Sequence, residues 1–139
     1  MKLRKPIIVT IVAAAILAAG IFIAYKTYEN LFRQFQSLTV EIVNQSKLDI
    51  VKVETGLLSG TPAQPGESKH SFEQTIASGK KAKIIPKLKF FGEGSIYMEF
   101  TDSNGKTTKK TVCSYTESAS GYSTVTITDK QITVEEHCI

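Results

Sequence analysis

The sequence predicts an all-β protein in which a single N-terminal transmembrane helix precedes an antiparallel, β-sandwich-like domain. Three observations lead to this prediction. An uncharged apolar run occupies residues 6–24, several later segments alternate polar with apolar residues, and both cysteines of the chain follow the apolar run. Alternation with a period of two is typical of strands that bury one face of a sheet.

The apolar run at residues 6–24 has the length of a membrane span. A helix needs about 20 apolar residues to cross a hydrocarbon core of about 30 Å. Lys2, Arg4 and Lys5 precede the run, and such clusters stay on the cytoplasmic side. We therefore expect residues 1–5 to be a cytoplasmic leader. The run would contact the lipid bilayer in a single-pass cell-membrane protein, with the C-terminal domain in the periplasm or outside the cell.

A cleaved signal peptide is the alternative interpretation of the same run. Small residues at 18–20 offer a cleavage site, but the apolar residues 21–24 continue past it. A signal peptide would then end inside its own hydrophobic segment, so we favour a retained anchor. No cysteine stands directly after the run, where a lipoprotein would be acylated, which excludes a lipoprotein anchor.

Residues 25–37 predict a juxtamembrane helix that prolongs the span. Tyr25, Tyr28, Phe32 and Phe35 recur at spacings of three and four, which places them on one helical face. The tyrosines suit the headgroup level of a bilayer. We expect Phe32 and Phe35 to pack on the β-domain, with contact to a partner protein as the alternative.

Residues 38–139 predict a β-domain of about six or seven antiparallel strands. Its best-defined element is a hairpin whose two-residue turn is Asp129-Lys130, because such a turn pairs Ile127 with Ile132 and Val125 with Val134 on one apolar face. The other segments with strand character are 38–42, 49–55, 72–76, 95–101 and 106–115. We expect 49–55 to return beside 38–42 across a turn at 44–47.

Residues 56–69 predict an irregular loop because they contain three glycines and two prolines. Leu57 and Leu58 have no clear period within it. We expect these two leucines to cover one end of the core, and the alternative is a contact with a partner protein.

Residues 80–89 contain five lysines and no acidic residue. Pro86 removes a donor from any strand there, so we place the segment at a sheet edge. Lysines on an edge protect it against pairing with other sheets. The alternative function is a basic strip that touches anionic lipid headgroups or an acidic partner. Its members are Lys80, Lys81, Lys83, Lys87 and Lys89.

Charge and cysteine content limit the function further. The leader accounts for three of the four units of net positive charge, so the exported part is nearly neutral and we expect no nucleic-acid partner. Cys113 and Cys138 predict a disulfide in an oxidising compartment. Closing that loop contributes about 3 kcal/mol to stability. A flat meander would hold these residues too far apart, so the strand of Cys113 must lie beside or across from the last strand.

No residue cluster predicts a reaction. The two histidines, His70 and His137, stand apart in the sequence, and only Glu135 would share a strand face with His137. Two ligands make a weak metal site. Nucleophile elbows and phosphate-binding loops are absent from the sequence. We therefore expect no catalytic residues, no metal, no cofactor and no enzymatic activity.

The first function hypothesis is a membrane-anchored, extracytoplasmic protein-binding module, for example a component of an envelope complex or an inhibitor or immunity protein. The layout of apolar helix, sheet and late cysteine pair also resembles that of a type IV pilin or pseudopilin. The chain departs from the pilin motif at Gly20, which Ile21 follows, and at Tyr25, where pilins carry glutamate. A polymerising subunit is the second hypothesis, and a ligand-binding or catalytic domain using the 56–69 loop is the third.

Overall fold

The computed structural model describes residues 5–59, 68–89 and 92–139. The chain divides into two compact units, Met1–Arg33 and Gln34–Ile139. One long apolar helix forms the first unit, and eight strands in two four-stranded sheets form the second. The predicted fold class, an all-β domain behind a single N-terminal helix, is confirmed.

Helix α1 spans Lys5–Gln34 without interruption. Alanine and isoleucine dominate it, and Pro6 occupies the first turn, where its missing N–H has no helical acceptor to lose. The portion Ile8–Glu29 is long and apolar enough to cross a membrane, and none of it is buried in the protein. The helix ends at Gln34, three residues before the predicted limit of the 25–37 segment.

The β-domain is a sandwich of two sheets. In chain order its strands are β1 (Thr39–Asn44), β2 (Ile50–Ser59), β3 (Lys69–Phe72), β4 (Lys81–Ile84), β5 (Gly94–Asp102), β6 (Thr107–Thr116), β7 (Gly121–Ile127) and β8 (Ile132–Cys138). Sheet 1 has the order β4-β1-β7-β8, and sheet 2 has the order β3-β2-β5-β6. The strands β4 and β3 are therefore the edges on one side, and β8 and β6 are the edges on the other.

The core lies between the sheets and is built by alternation. In β1 and β7 every second residue is buried, and in β5 the buried set includes Ile96, Met98 and Phe100, as the sequence predicts. Sheet 1 also contributes Ile84 from its edge strand, and Val53 and Val112 come from sheet 2. Removing these apolar side chains from water is the main source of stability for a domain of this size.

The sandwich has two ends, which we name by the direction of β1. At the proximal end β1 begins, parallel to the start of β7 and close to the end of β8. At the distal end β1 finishes at Asn44, and the β5–β6 and β7–β8 hairpin turns lie there. The strands β2 and β5 are antiparallel, so β2 ends and β5 begins at the proximal end.

The predicted strands differ from the structure in direction, number and position. The pairing of β1 with β7 is parallel, so sheet 1 is mixed, and the described residues form eight strands, where about six or seven were predicted. Alternation marks which face of a strand is buried but is the same for either strand direction, so it could not identify the parallel pair. The predicted strand 72–76 is also displaced, because β3 ends at Phe72 and Ile76 forms only an isolated bridge with Ile50.

The predicted return of 49–55 beside 38–42 is also wrong, since β1 and β2 belong to different sheets. The buried Asn44 side chain redirects the chain at this point. Its amide nitrogen donates to the carbonyl oxygens of Leu48 and Ile76, each at 2.9 Å, and its Oδ1 accepts the N–H of Ser46 at 3.1 Å. This fully bonded amide holds the crossover from sheet 1 to sheet 2 in place.

The predicted loop from residue 56 begins too early, because β2 continues to Ser59 and includes Leu57 and Leu58. Gly56 pairs with Tyr97, and any Cβ at residue 56 would collide with the Tyr97 ring. A glycine within a strand often marks such a close approach. The rest of the predicted loop at residues 60–67 lies outside the described residues.

The C-terminal hairpin is confirmed in its register. Ile127 pairs with Ile132 and Val125 pairs with Val134, and Thr128 and Gln131 close the turn with a bond of 3.0 Å. The β5–β6 turn joins the two segments predicted at 95–101 and 106–115, and its Gly105 has the positive φ of 81° that favours glycine. Local turn chemistry and alternation agree at both hairpins.

Candidate binding groove

A cavity of about 370 Å³ opens at the distal end of the sandwich. It lies between the β5–β6 and β7–β8 hairpins, and the crossover from β1 to β2 closes its third side. We call it the distal groove. Its lining residues are Ser46, Leu48, Ile50, Phe100, Asp102, Asn104, Lys106, Thr108, Ile127, Thr128, Asp129, Lys130, Gln131 and Ile132.

The floor of the distal groove is apolar. Ile50, Phe100 and Ile127 are buried core residues that also line the cavity, and Ile132 packs against the core from β8. These core residues close the bottom of the groove, and each of the three is at most 5% exposed. A space of this volume with an apolar floor and a polar rim suits one or two side chains of a partner or a small ligand.

The rim of the distal groove is polar and is fixed by hydrogen bonds. The Asp102 carboxylate accepts the N–H groups of Asn104 and Lys106 at 2.9 and 3.0 Å. The Asp129 carboxylate accepts the N–H of Lys47 at 2.7 Å, and the Lys47 Nζ lies 4.0 Å from its second oxygen. Both carboxylates thus hold turn backbones in position at the mouth of the groove.

This arrangement suits recognition more than chemistry. The lining residues include no histidine or cysteine, and both aspartates already accept main-chain hydrogen bonds. Among residues 5–59, 68–89 and 92–139, no group of three or more His, Cys, Asp or Glu residues could hold a metal ion. What the groove offers is an apolar floor, hydrogen-bonding groups on the rim and two flanking lysines.

On the side of the sandwich formed by the edge strands β6 and β8, the two sheets are joined to each other. Cys113 and Cys138 form a disulfide across it, with their Cα atoms 5.9 Å apart. The Glu136 carboxylate accepts the N–H of Ser114 at 2.7 Å and the Ser114 hydroxyl at 2.6 Å. The Thr116 hydroxyl donates to the Ile139 carbonyl. The strand of Cys113 lies across from the last strand, as the sequence predicts.

Tyr115 lies beside the disulfide on the outside of β6. Its hydroxyl donates to Glu117 Oε1 at 2.6 Å. That hydrogen bond, with partial burial and the charges of Glu117 and Glu93, raises the pKa of the Tyr115 phenol to about 12. The hydroxyl therefore stays protonated at physiological pH, so it is a hydrogen-bond donor and not a nucleophile.

The predicted contact residues divide between different parts of the chain. Leu57 is half-buried against the core, as predicted, whereas Leu58 is 46% exposed on the outer face of sheet 2. Phe35, in the turn after α1, is 74% exposed. Phe32 is 50% exposed and contacts Tyr28 on the helix, with the ring centroids 4.3 Å apart. None of the four lines the distal groove.

The basic strip lies at an edge of sheet 1, as predicted, because β4 is the edge strand. All five of its lysines are exposed. Lys81 lies 3.6 Å from Glu41 Oε1 on the neighbouring strand. Pro86 follows the strand and is buried. Because proline has no N–H to donate to the ladder, the pairing with β1 ends before it.

The histidines do not come together. His137 is exposed on β8, as expected, and stacks on Tyr122 with centroids 4.6 Å apart. His70 lies in β3, directly opposite the buried Thr55, and its Nδ1 atom is buried without a hydrogen-bond partner. His70 directly follows the predicted 56–69 loop, and the sequence does not indicate the short strand β3 there.

The residues of the distal groove were not predicted as a site. The two hairpin turns were predicted separately, but nothing in the sequence shows that they lie at the same end of two packed sheets. The signal that could have found the groove is the matching chemistry of the turns. Each carries an aspartate and a lysine next to a strand end with large apolar residues.

No family model and no curated protein matches this chain. Among solved structures, the NMR structure of a protein from Eubacterium rectale is similar over 73% of this chain and 89% of its own length. Its TM-score is 0.46 and its sequence identity is 10%. A likeness of this size indicates neither the fold nor the function of this chain, which is described by its own structure as a β-sandwich with an apolar N-terminal helix.

Proposed function

We propose that this protein is a membrane-anchored binding module without catalytic activity, whose β-domain holds a partner protein outside the cytoplasm. The observation that carries the proposal is the distal groove, which combines an apolar floor with a rim held rigid by hydrogen bonds. Sites that bind without reacting commonly combine apolar walls with a few fixed polar groups. An apolar side chain of the partner would occupy the groove.

The anchoring part of the proposal rests on α1 and on the cysteines. Ile8–Glu29 has the length and composition of a membrane span, and basic residues precede it in the sequence. The disulfide supports an oxidising compartment for the β-domain, because such bonds are rare in the cytosol. A component of an envelope complex and an inhibitor or immunity protein are the two kinds of role that fit.

Site-specific photo-crosslinking in cells tests the groove. A photoreactive residue replaces Gln131 or Asn104, both exposed on the rim, and the matched control replaces Thr133, exposed on the outer face of sheet 1. We expect one discrete adduct from both rim positions and none from the control. Rim positions that give no adduct, or the same adducts as the control, would contradict the proposed binding groove.

Alkaline extraction tests the anchor independently. The full chain, tagged at its C-terminus, should stay in the membrane pellet at its full mass. Release of a shorter product into the soluble fraction would show that α1 is a cleaved signal. That result would leave the groove to be tested in the secreted domain.

A further inference from the structure

The segment that follows β4 is extended and has two different faces. Residues 85–89 alternate in burial: Ile85, Lys87 and Lys89 are exposed, whereas Pro86 is buried and Leu88 packs against the core. Ile85 is 53% exposed. The inward residues fix the segment on the domain, so the outward face presents one apolar and two cationic side chains in a row.

This outward face lies towards the proximal end. The strand β4 is antiparallel to β1 and pairs Ile84 with Val40, so the residues after Ile84 continue past the start of β1. The N–H of Lys89 donates to Ser68 Oγ at 2.5 Å. That bond brings the exposed Lys69, the first residue of β3, beside the segment. We call Ile85, Lys69, Lys87 and Lys89 the basic corner.

Charge is separated within the β-domain. Residues 34–139 contain as many lysines as acidic residues, so the domain carries no net charge. Within the part of the chain that the structure describes, none of the three corner lysines forms an ion pair. At the opposite edge, Glu117 and Glu93 act on Tyr115, and Glu136 binds Ser114. The basic corner is therefore a cationic patch on a neutral domain.

Exposed apolar side chains also concentrate at the proximal end. In the described part of the β-strands and the segments that join them, the large exposed apolar residues are Val51, Leu58, Ile85, Tyr115 and Ile139. Only Val51 lies at the distal end, beside the irregularity at the start of β2. Of these residues Ile85 lies among the corner lysines, and a surface that joins an apolar side chain to lysines is typical of segments that rest in the interface of a bilayer.

We propose that the basic corner docks on anionic lipid headgroups of the bilayer that holds α1. The inference rests on the proposed anchoring. From Gln34, the end of α1, to Thr39, the start of β1, the chain advances five residues, which reach at most about 17 Å. This short tether keeps the proximal end at a high effective concentration near the headgroups. Each lysine near an anionic surface contributes about 1 kcal/mol, or about a fivefold change in occupancy.

The protein contains no tryptophan, so a single introduced indole reports its own position. The full chain carrying Ile85→Trp is reconstituted into bilayers with brominated acyl chains, with either zwitterionic lipid alone or an added anionic phosphatidylglycerol fraction. The matched control is Val51→Trp, 39% exposed at the distal end. Alkaline extraction of the same vesicles measures the anchoring of α1 separately.

We expect Ile85→Trp fluorescence to be quenched and blue-shifted in anionic bilayers, while Val51→Trp stays unquenched. Lys69→Gln, Lys87→Gln and Lys89→Gln together should weaken docking by about a hundredfold and remove the quenching. The control set Lys106→Gln, Lys110→Gln and Lys130→Gln changes the net charge equally and should keep it. About 0.5 M salt should also remove the quenching, because the attraction between lysines and headgroups is then screened beyond a few ångströms.

Three results would overturn the inference while α1 remains anchored. The first is Ile85→Trp emission as unquenched as that of Val51→Trp, which would leave the lysines to an acidic protein. The second is equal quenching in zwitterionic and anionic bilayers, which would remove recognition of the headgroup charge. The third is loss of quenching with the distal control set. Loss of α1 from the membrane would instead contradict the proposed anchoring.

Discussion

The two sides of the sandwich are held in different ways. On the linked edge, β6 and β8 are joined by the Cys113–Cys138 disulfide and by the bonds between Ser114 and Glu136. On the open edge, no hydrogen bond or ion pair of the described residues joins β3 to β4 themselves. The hydrogen bond from the Lys89 N–H to Ser68 Oγ links the segments beside them, and the buried Nδ1 of His70 has no partner. The same fold thus cross-links one side covalently and, among the described residues, holds the other by a single hydrogen bond outside the strands.

The difference shows two ways to make a sheet edge safe. An unpaired edge invites pairing with other chains unless it is covered or charged. On the linked edge, β6 of sheet 2 and β8 of sheet 1 cover each other. The open edge is short in both sheets and presents lysines from β4 and from the start of β3. Cross-linking stabilises the first edge, and charge protects the second.

The largest effect on this comparison should come from the disulfide. Replacing Cys113→Ser and Cys138→Ser together should lower the free energy of unfolding by about 3 kcal/mol, because the unfolded chain regains the entropy that the bond removes. Urea denaturation of the full chain in mild detergent measures this change. Reduced wild-type protein is the control and should unfold at the same urea concentration as the double variant. A loss below about 1 kcal/mol would mean that the linked edge does not depend on its covalent bond.

The next effect should come from Glu136. Glu136→Ala removes two hydrogen bonds to Ser114 and should cost about 1 kcal/mol, since the pair is partly solvated. Glu135→Ala is the matched control, because Glu135 is the preceding residue on the same strand and forms no hydrogen bond or ion pair among the described residues. Its cost should be close to zero. Equal losses for the two variants would show that charge, and not the bonds to Ser114, is what matters.

A smaller effect should follow at the open edge. Lys81→Ala breaks the ion pair with Glu41, which is exposed on both sides, and should change the free energy of unfolding by less than about 0.5 kcal/mol. Urea denaturation under the same conditions compares it with Glu136→Ala. If Lys81→Ala costs more than Glu136→Ala, the contrast between the edges fails.

The smallest effect is a titration at the linked edge. The absorbance of phenolate should show one of the five tyrosines titrating near pH 12, and Glu117→Gln should bring that pKa back towards 10. The raised pKa means that folding favours the protonated phenol. Its contribution is therefore complete below pH 10 and is lost as the pH rises from about 10 through about 12. Titration of all five tyrosines together near pH 10 would contradict the bond from Tyr115 to Glu117.

Much of the fold could be predicted because it is encoded locally. The β7–β8 register follows from a two-residue turn between strands whose apolar residues fall on one face, and Val125 opposite Val134 follows at once. A disulfide could be predicted because the expected compartment is oxidising. The short Cα–Cα distance across such a bond then requires the two strands to lie across from each other. Each of these inferences needs only residues that are near in the chain or bonded to each other.

What could not be predicted depends on contacts between distant residues. From the sequence alone Gly56 indicates a turn, because nothing in the sequence shows that the Tyr97 ring lies against it. Asn44 reads as a turn residue, and its partner carbonyl on Ile76 belongs to a distant segment. The distal groove was missed for the same reason, since Phe100 and Ile132 reach it from different sheets. Long-range packing decides these positions, and a single sequence does not display it.

The parallel pairing of β1 with β7 sets the order in which the domain can fold. During synthesis β1 leaves the ribosome long before β7, and its first partner, β4, is only four residues long. Sheet 1 has no second neighbour for β1 until residues 121–127 arrive, and contacts so distant in sequence form slowly. We therefore expect sheet 2 to assemble first, so that the last hairpin completes sheet 1 and brings Cys138 to Cys113. Oxidation of the pair would then report that the chain has finished folding.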